Sequence, residues 1–252
     1  MSEQLQAEPA TEEKAQPVLP PSPPPSPPPD LNGKSFGWIL LNHRESIFEM
    51  IAGGKSLDGM IRYFGMYIAL FAALYGATLG FYTVSWQILF SAIKAPILIF
   101  GTVAICLPAL FTFNVLLGSK LSFKQTTAML SVTAYIMATV LVSLALITLF
   151  FIASTTSKEF ILLLNVAAFG IAGMFGVRML WTGMDYLTIR SGYKPNRQII
   201  QVWTLIYIFV GTQLAWILRP FVGNPGQVIL FRQIEGNFYQ SVFHTFLRLM
   251  GW

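Results

Sequence analysis

Apolar residues along this chain gather into five long runs, about 63–85, 95–117, 128–152, 160–182 and 199–218, separated by short polar stretches. A helix that crosses the hydrocarbon core of a bilayer needs roughly 20 predominantly apolar residues, and all five runs reach that length. None carries an Asp or Glu in its middle. Lipid offers no partner for backbone N–H and C=O groups, so each run is predicted to close its own hydrogen bonds as an α-helix. The expected fold is all-α, a polytopic transmembrane helix bundle of about five spans occupying residues 60–218.

The flanks of the runs carry the residues that anchor helices at head groups: Arg62 and Trp86, Lys94 and Lys120, Lys124 and Lys158, Arg178 with Trp181, and Arg197 and Arg219. An odd number of spans places the termini on opposite sides. Counting Lys and Arg near the span ends gives nine on the N-terminal side and five (Lys94, Lys158, Arg219, Arg232, Arg248) on the other. The positive-inside rule therefore predicts a multi-pass plasma membrane protein with a cytoplasmic N-terminus and an extracytoplasmic C-terminus.

Three segments lie outside the runs. Residues 1–33 contain PVLPPSPPPSPPPD and no apolar periodicity, which predicts a disordered, partly polyproline II tail. Residues 34–59 place Trp38, Leu41, Phe48 and Ile51 near one helical face and Arg44, Glu45 and Glu49 away from it, the pattern of an interfacial amphipathic helix ending at Gly53 and Gly54. Residues 219–252 form an extracytoplasmic C-terminal segment, in which Phe238, Val242, Phe246 and Leu249 recur at helical spacing. Arg232, Glu235 and Arg248 interrupt it too often for a span.

Composition agrees: 54% of the residues are hydrophobic and only 11% charged. The surplus of Lys and Arg is scattered beside apolar runs rather than drawn into a stripe, so no nucleic-acid partner is expected; the lipid bilayer is the first partner. Cys106 is the single cysteine, which excludes an intramolecular disulfide.

Candidate chemistry is sparse. His43 and His244 fall on opposite sides of the bilayer, no metal-ligand spacing or phosphate-cradling glycine loop is present, and no cofactor is expected. These absences predict a protein that is not an enzyme. Small residues recur at four-residue intervals (Ala72, Gly76 and Gly80; Ala168, Ala172 and Gly176; Gly211 and Ala215), which lets helices approach closely within one bundle or in a homo-oligomer. Pro108, near the middle of the second run, removes a backbone donor and predicts a kink. Arg178 is read as snorkelling from about one turn inside the fourth run. The most distinctive stretch, GTQLAWILRPFVGNPG followed by FRQIEGNFY, sets Gln213, Trp216, Arg219, Pro220 and Asn237 at or beyond the outer surface as candidate interaction residues.

The stretch from Gly101 to Thr155, with LRPFVGNPG and GNFY further on, resembles a family of bacterial polytopic membrane proteins without an assigned activity. More loosely, LLGSKLSFKQ between two spans, with Tyr135 in the next helix, is similar to the five-span membrane proteins of the Yip1 type. That resemblance implies a cytoplasmic N-terminus, an exterior C-terminus and a role in trafficking through protein contacts. The DLYGP-type motif of its eukaryotic members is absent, so no functional residue is carried over.

The expected function is that of a non-enzymatic membrane scaffold or an assembly- or trafficking-type accessory protein with membrane-protein partners. The alternative is a small channel or uncoupled transporter, which the prolines of the second run and the neutral polar groups within the spans would serve.

Overall fold

A computed structural model describes residues 35–83, 86–116, 121–190, 197–219, 221–222 and 238–250. The proline-rich tail, Pro220 and Asn237 lie outside the described residues. Eight helices run in order among those described: α1 (Phe36–Asn42), α2 (Arg44–Ala52), α3 (Leu57–Gly80), α4 (Gln87–Leu116), α5 (Phe123–Ser154), α6 (Lys158–Arg190), α7 (Arg197–Ile217) and α8 (Phe238–Leu249). The fold is all-α, and α3 to α7 are long and apolar enough to cross a membrane.

At the centre α3 packs between α4 and α5, α6 packs on the far side of α5, and α7 lies along α4. The small-residue ridges make this possible. A methyl group added to Gly76 would collide with the Ser91 carbonyl, and one added to Gly80 would collide with the Ile88 backbone, so α3 and α4 meet backbone to backbone. Gly176 lies against Met137 and the Thr133 carbonyl, while Ala72 and Ala172 are fully buried. In lipid such close packing replaces the hydrophobic drive that holds soluble helices together.

Helices α5 and α6 have 32 and 33 residues. At 1.5 Å per residue they measure about 48 and 50 Å, well beyond a hydrocarbon core of about 30 Å. Lys158 and Arg178 lie 20 residues apart on α6, a separation of about 30 Å that matches the core. Arg178 is therefore three turns from the end of its helix rather than one; α6 continues to Arg190 beyond the membrane, with Arg178 exposed on its flank.

The ends of α5 and α6 carry α2, and α1 packs beside it on α3. The single interfacial helix expected over 34–59 is instead two helices broken at His43, whose φ of −139° and ψ of 58° leave the helical region. The break turns α1 relative to α2, so Trp38 and Leu41 are exposed while Ile39, Leu40, Ile47, Phe48 and Ile51 are buried in the core. Phe48 packs on Tyr186 of α6 with ring centroids 5.6 Å apart. Gln125 fastens this cap. Its amide nitrogen donates to the Ile51 and Ala52 carbonyls at 2.8 and 3.0 Å, closing the end of α2, and its oxygen accepts from the Ser122 N–H at 2.7 Å. The Ser122 hydroxyl accepts from the Gln125 N–H in return, a capping box that starts α5.

At the opposite end α8 rests on α6 and α7, with the Thr212 and Tyr239 hydroxyls 3.3 Å apart. None of its residues is buried, and Tyr239, Phe243, Phe246 and Met250 form an exposed stripe at helical spacing.

Candidate functional site

Polar side chains tie the spans together at several depths. The Tyr75 hydroxyl of α3 donates to Asn165 of α6 at 3.1 Å, the Trp181 indole of α6 donates to Thr204 of α7 at 2.9 Å, and the Trp203 indole donates to the Cys106 carbonyl of α4 at 3.1 Å. Each bond satisfies a neutral group that hydrocarbon would leave bare.

One face of α4 is different. Gln87, Ser91 and Lys94, at i, i+4 and i+7, are all buried, with Lys94 only 5% exposed. Trp86, 72% exposed, stands just before the start of the helix. Lys94 follows it by eight residues, about 12 Å further along a helix that rises 1.5 Å per residue. The lysine expected to flank the second span is a buried side chain inside helix α4, engaged within the fold.

The end of α7 comes to the same place. Gly211 of α7 stands level with Thr102 of α4, close enough that an added methyl would touch the threonine side chain at 3.6 Å. From that level α4 runs 16 more residues to Trp86 and α7 only six more to Ile217, so α7 stops about 15 Å short of the level of Trp86, near that of Lys94. Trp216 is buried there and the Arg219 guanidinium lies over its ring, 3.1 Å from the centroid. The chain then passes through Phe221 and Val222, both buried, and the Ser91 hydroxyl donates to the Phe221 carbonyl at 2.6 Å.

Of the residues singled out from sequence, Trp216 and Arg219 come together at this site, and Gln213 is half-buried one turn earlier on α7. They lie near the level of Lys94 on α4, because α7 ends there. Pro108 does not join them. It follows Trp86 by 22 residues, about 33 Å along α4 and well away from Lys94. It is also exposed on its helix, which continues unbroken through Pro96 and Pro108.

Gln87 and Ser91 are not marked by the sequence, and Lys94 only as a flanking residue, because hydropathy falls where they occur and the second run starts after them. Their own helical spacing was the available signal.

A second polar recess lies at the cap end, where Glu49, Gly53, Gln125 and Arg190 surround a cleft of about 290 Å³. Arg190 reaches Glu49 at 3.5 Å, and His43 packs on Trp38 with centroids 5.6 Å apart. Among the described residues no group of three His, Cys, Asp or Glu side chains could hold a metal ion.

Five apolar spans, tied by buried hydrogen bonds and closed at both ends by short helices, define a multi-pass integral membrane protein whose solvent is the lipid bilayer. Comparison with protein-family models, with curated proteins and with solved structures finds no match to this chain.

Proposed function

We propose that this protein is a non-enzymatic accessory of the membrane, organising or assisting other membrane proteins in the manner of the Yip1-type five-span proteins it resembles. The observation that supports this most is the division of labour between the bundle and its periphery. The small-residue ridges of the spans are spent on packing within the chain, whereas α8 keeps a row of large apolar side chains, Tyr239, Phe243, Phe246 and Met250, outside the fold. An exposed apolar stripe carried on a fixed platform suits contact with another membrane protein. The proline-rich tail at the other end of the chain supplies a second contact on the cytoplasmic side.

Purification of the full chain from native membranes in a mild detergent, with and without residues 1–33, tests the reading. A partner that co-purifies reproducibly supports it; a clean chain under both conditions counts against it. The orientation is tested by a reporter fused after Trp252, which is expected to be active outside the cytoplasm.

The second reading, a small channel or uncoupled transporter, is favoured by the buried face of α4 and the early end of α7, since discontinuous helices and intramembrane charges mark solute sites in carriers. Solute flux through reconstituted vesicles above that of empty ones would favour it.

A further inference from the structure

We propose that the outer face of α1, together with Arg44, Lys55 and Arg62, is a docking surface for anionic phospholipid.

The seating of α1 decides which of its sides faces out. Phe36 packs on Tyr63 of α3 with ring centroids 5.5 Å apart and touches Gly59 one turn earlier. Gly37 lies so close to the Tyr63 and Tyr135 hydroxyls that an added methyl group would collide with both, and Ile39 and Leu40 are buried. These contacts hold α1 on α3 and α5 and leave an apolar side outward, with Trp38 40% and Leu41 67% exposed. On the neighbouring α3, Arg62, Met66, Leu70 and Leu74 recur every four residues and are all exposed, a lipid-facing row that ends in a cation. A helix side that turns Trp and Leu outward at the charged end of such a row suits the boundary between acyl chains and head groups.

Charge selects the lipid. Between Ser35 and Thr83 the Asp, Glu, Lys and Arg side chains are Arg44, Glu45, Glu49, Lys55, Asp58 and Arg62. Two of the acids are engaged from other helices, Glu49 by Arg190 at 3.5 Å and Asp58 by Lys124 at 3.1 Å. Arg44, Lys55 and Arg62 remain, all exposed and none in an ion pair among the described residues, against the single exposed acid Glu45. Each borders α1: Arg44 follows its last residue by two, Arg62 is next to Tyr63, and Lys55 precedes Gly59 by four residues. Exposed cations beside inserted apolar side chains attract negatively charged head groups, and a head group of zero net charge gains nothing comparable.

The full-length protein in detergent is offered phosphatidylglycerol and phosphatidylcholine in equal amounts, and the retained lipids are counted by native mass spectrometry. The expected result is a preference for phosphatidylglycerol that falls by up to about fivefold with each of Arg44→Gln, Lys55→Gln and Arg62→Gln. The preference is kept when Arg44→Lys and Arg62→Lys are combined, and Arg248→Gln on α8 leaves it unchanged. All of these are exposed positions, and thermal midpoints check that each variant is folded. Equal retention of the two lipids, or a preference indifferent to the three substitutions, overturns the proposal. The seating of α1 is read separately, with a polarity-sensitive dye on Leu41→Cys in a Cys106→Ala background. In phosphatidylglycerol vesicles the dye is expected to emit at shorter wavelength than in water at every protein-to-lipid ratio. Emission as in water, or a shift that disappears on dilution with lipid and so reports a second copy of the chain, overturns the proposal as well. Neither readout involves a partner protein, so failure here leaves the accessory reading standing.

Discussion

The Ser91 hydroxyl donates to the Phe221 carbonyl at 2.6 Å across 130 residues of sequence, and so fastens the chain leaving α7 to the buried face of α4. Removing the donor leaves a buried carbonyl without its partner, which costs about 1–3 kcal/mol. Ser91→Ala is expected to lower the thermal midpoint in detergent by that amount and to alter the fluorescence of Trp216. An unchanged midpoint and spectrum would show the segment after α7 to be held elsewhere.

Gly76 carries the contact between α3 and α4. Gly76→Leu forces a side chain into the Ser91 backbone and is expected to cost about 1–3 kcal/mol, seen as early unfolding on heating in detergent. Gly65, which faces open space, is the control: Gly65→Ala is expected to leave stability unchanged or raise it by about 0.5–1 kcal/mol.

The depth of Lys94 is tested by labelling. In a Cys106→Ala background, Trp86→Cys is expected to react with a membrane-impermeant maleimide in the folded protein, whereas Lys94→Cys reacts only after denaturation. Equal labelling of both would place Lys94 at the surface.

Gln125 joins two helix ends at once. Gln125→Ala frees the Ile51 and Ala52 carbonyls and the Ser122 N–H, and the loss of a cap costs about 1–2 kcal/mol. The penalty is expected to appear as faster hydrogen exchange confined to α2 and the first turn of α5, with the transmembrane core of α3 unaffected.

How far the fold could be read from the sequence differs with the physical source of each feature. Five spans were legible because length and hydropathy alone decide whether a helix crosses lipid; the run at 128–152 became the helix Phe123–Ser154. The ends were less legible. Helix α4 starts at Gln87 because Gln87, Ser91 and Lys94 are hidden against neighbours, and hydropathy cannot tell a buried polar face from a loop. Pro108 shows a related limit: both faces of a spanning helix are apolar, so the pattern does not say which one meets protein and which meets lipid. The break at His43 had no signal either, since an amphipathic pattern runs through it and the turn is set by Ile47, Phe48 and Ile51 descending onto α5 and α6. At the candidate site Trp216 and Arg219 were legible as a motif, but their place beside the buried face of α4 was not, because it depends on where α7 stops along α4.

The central claim, that the protein acts through contacts with other membrane proteins, is tested most directly by photo-crosslinking in native membranes. A photoreactive amino acid is placed at Phe243 on α8 or at Leu146 on α5, both well exposed, the second on a span facing lipid. The account predicts a discrete adduct with another protein from Phe243 and none from Leu146. No protein adduct from Phe243, or the same pattern from both positions, would contradict it.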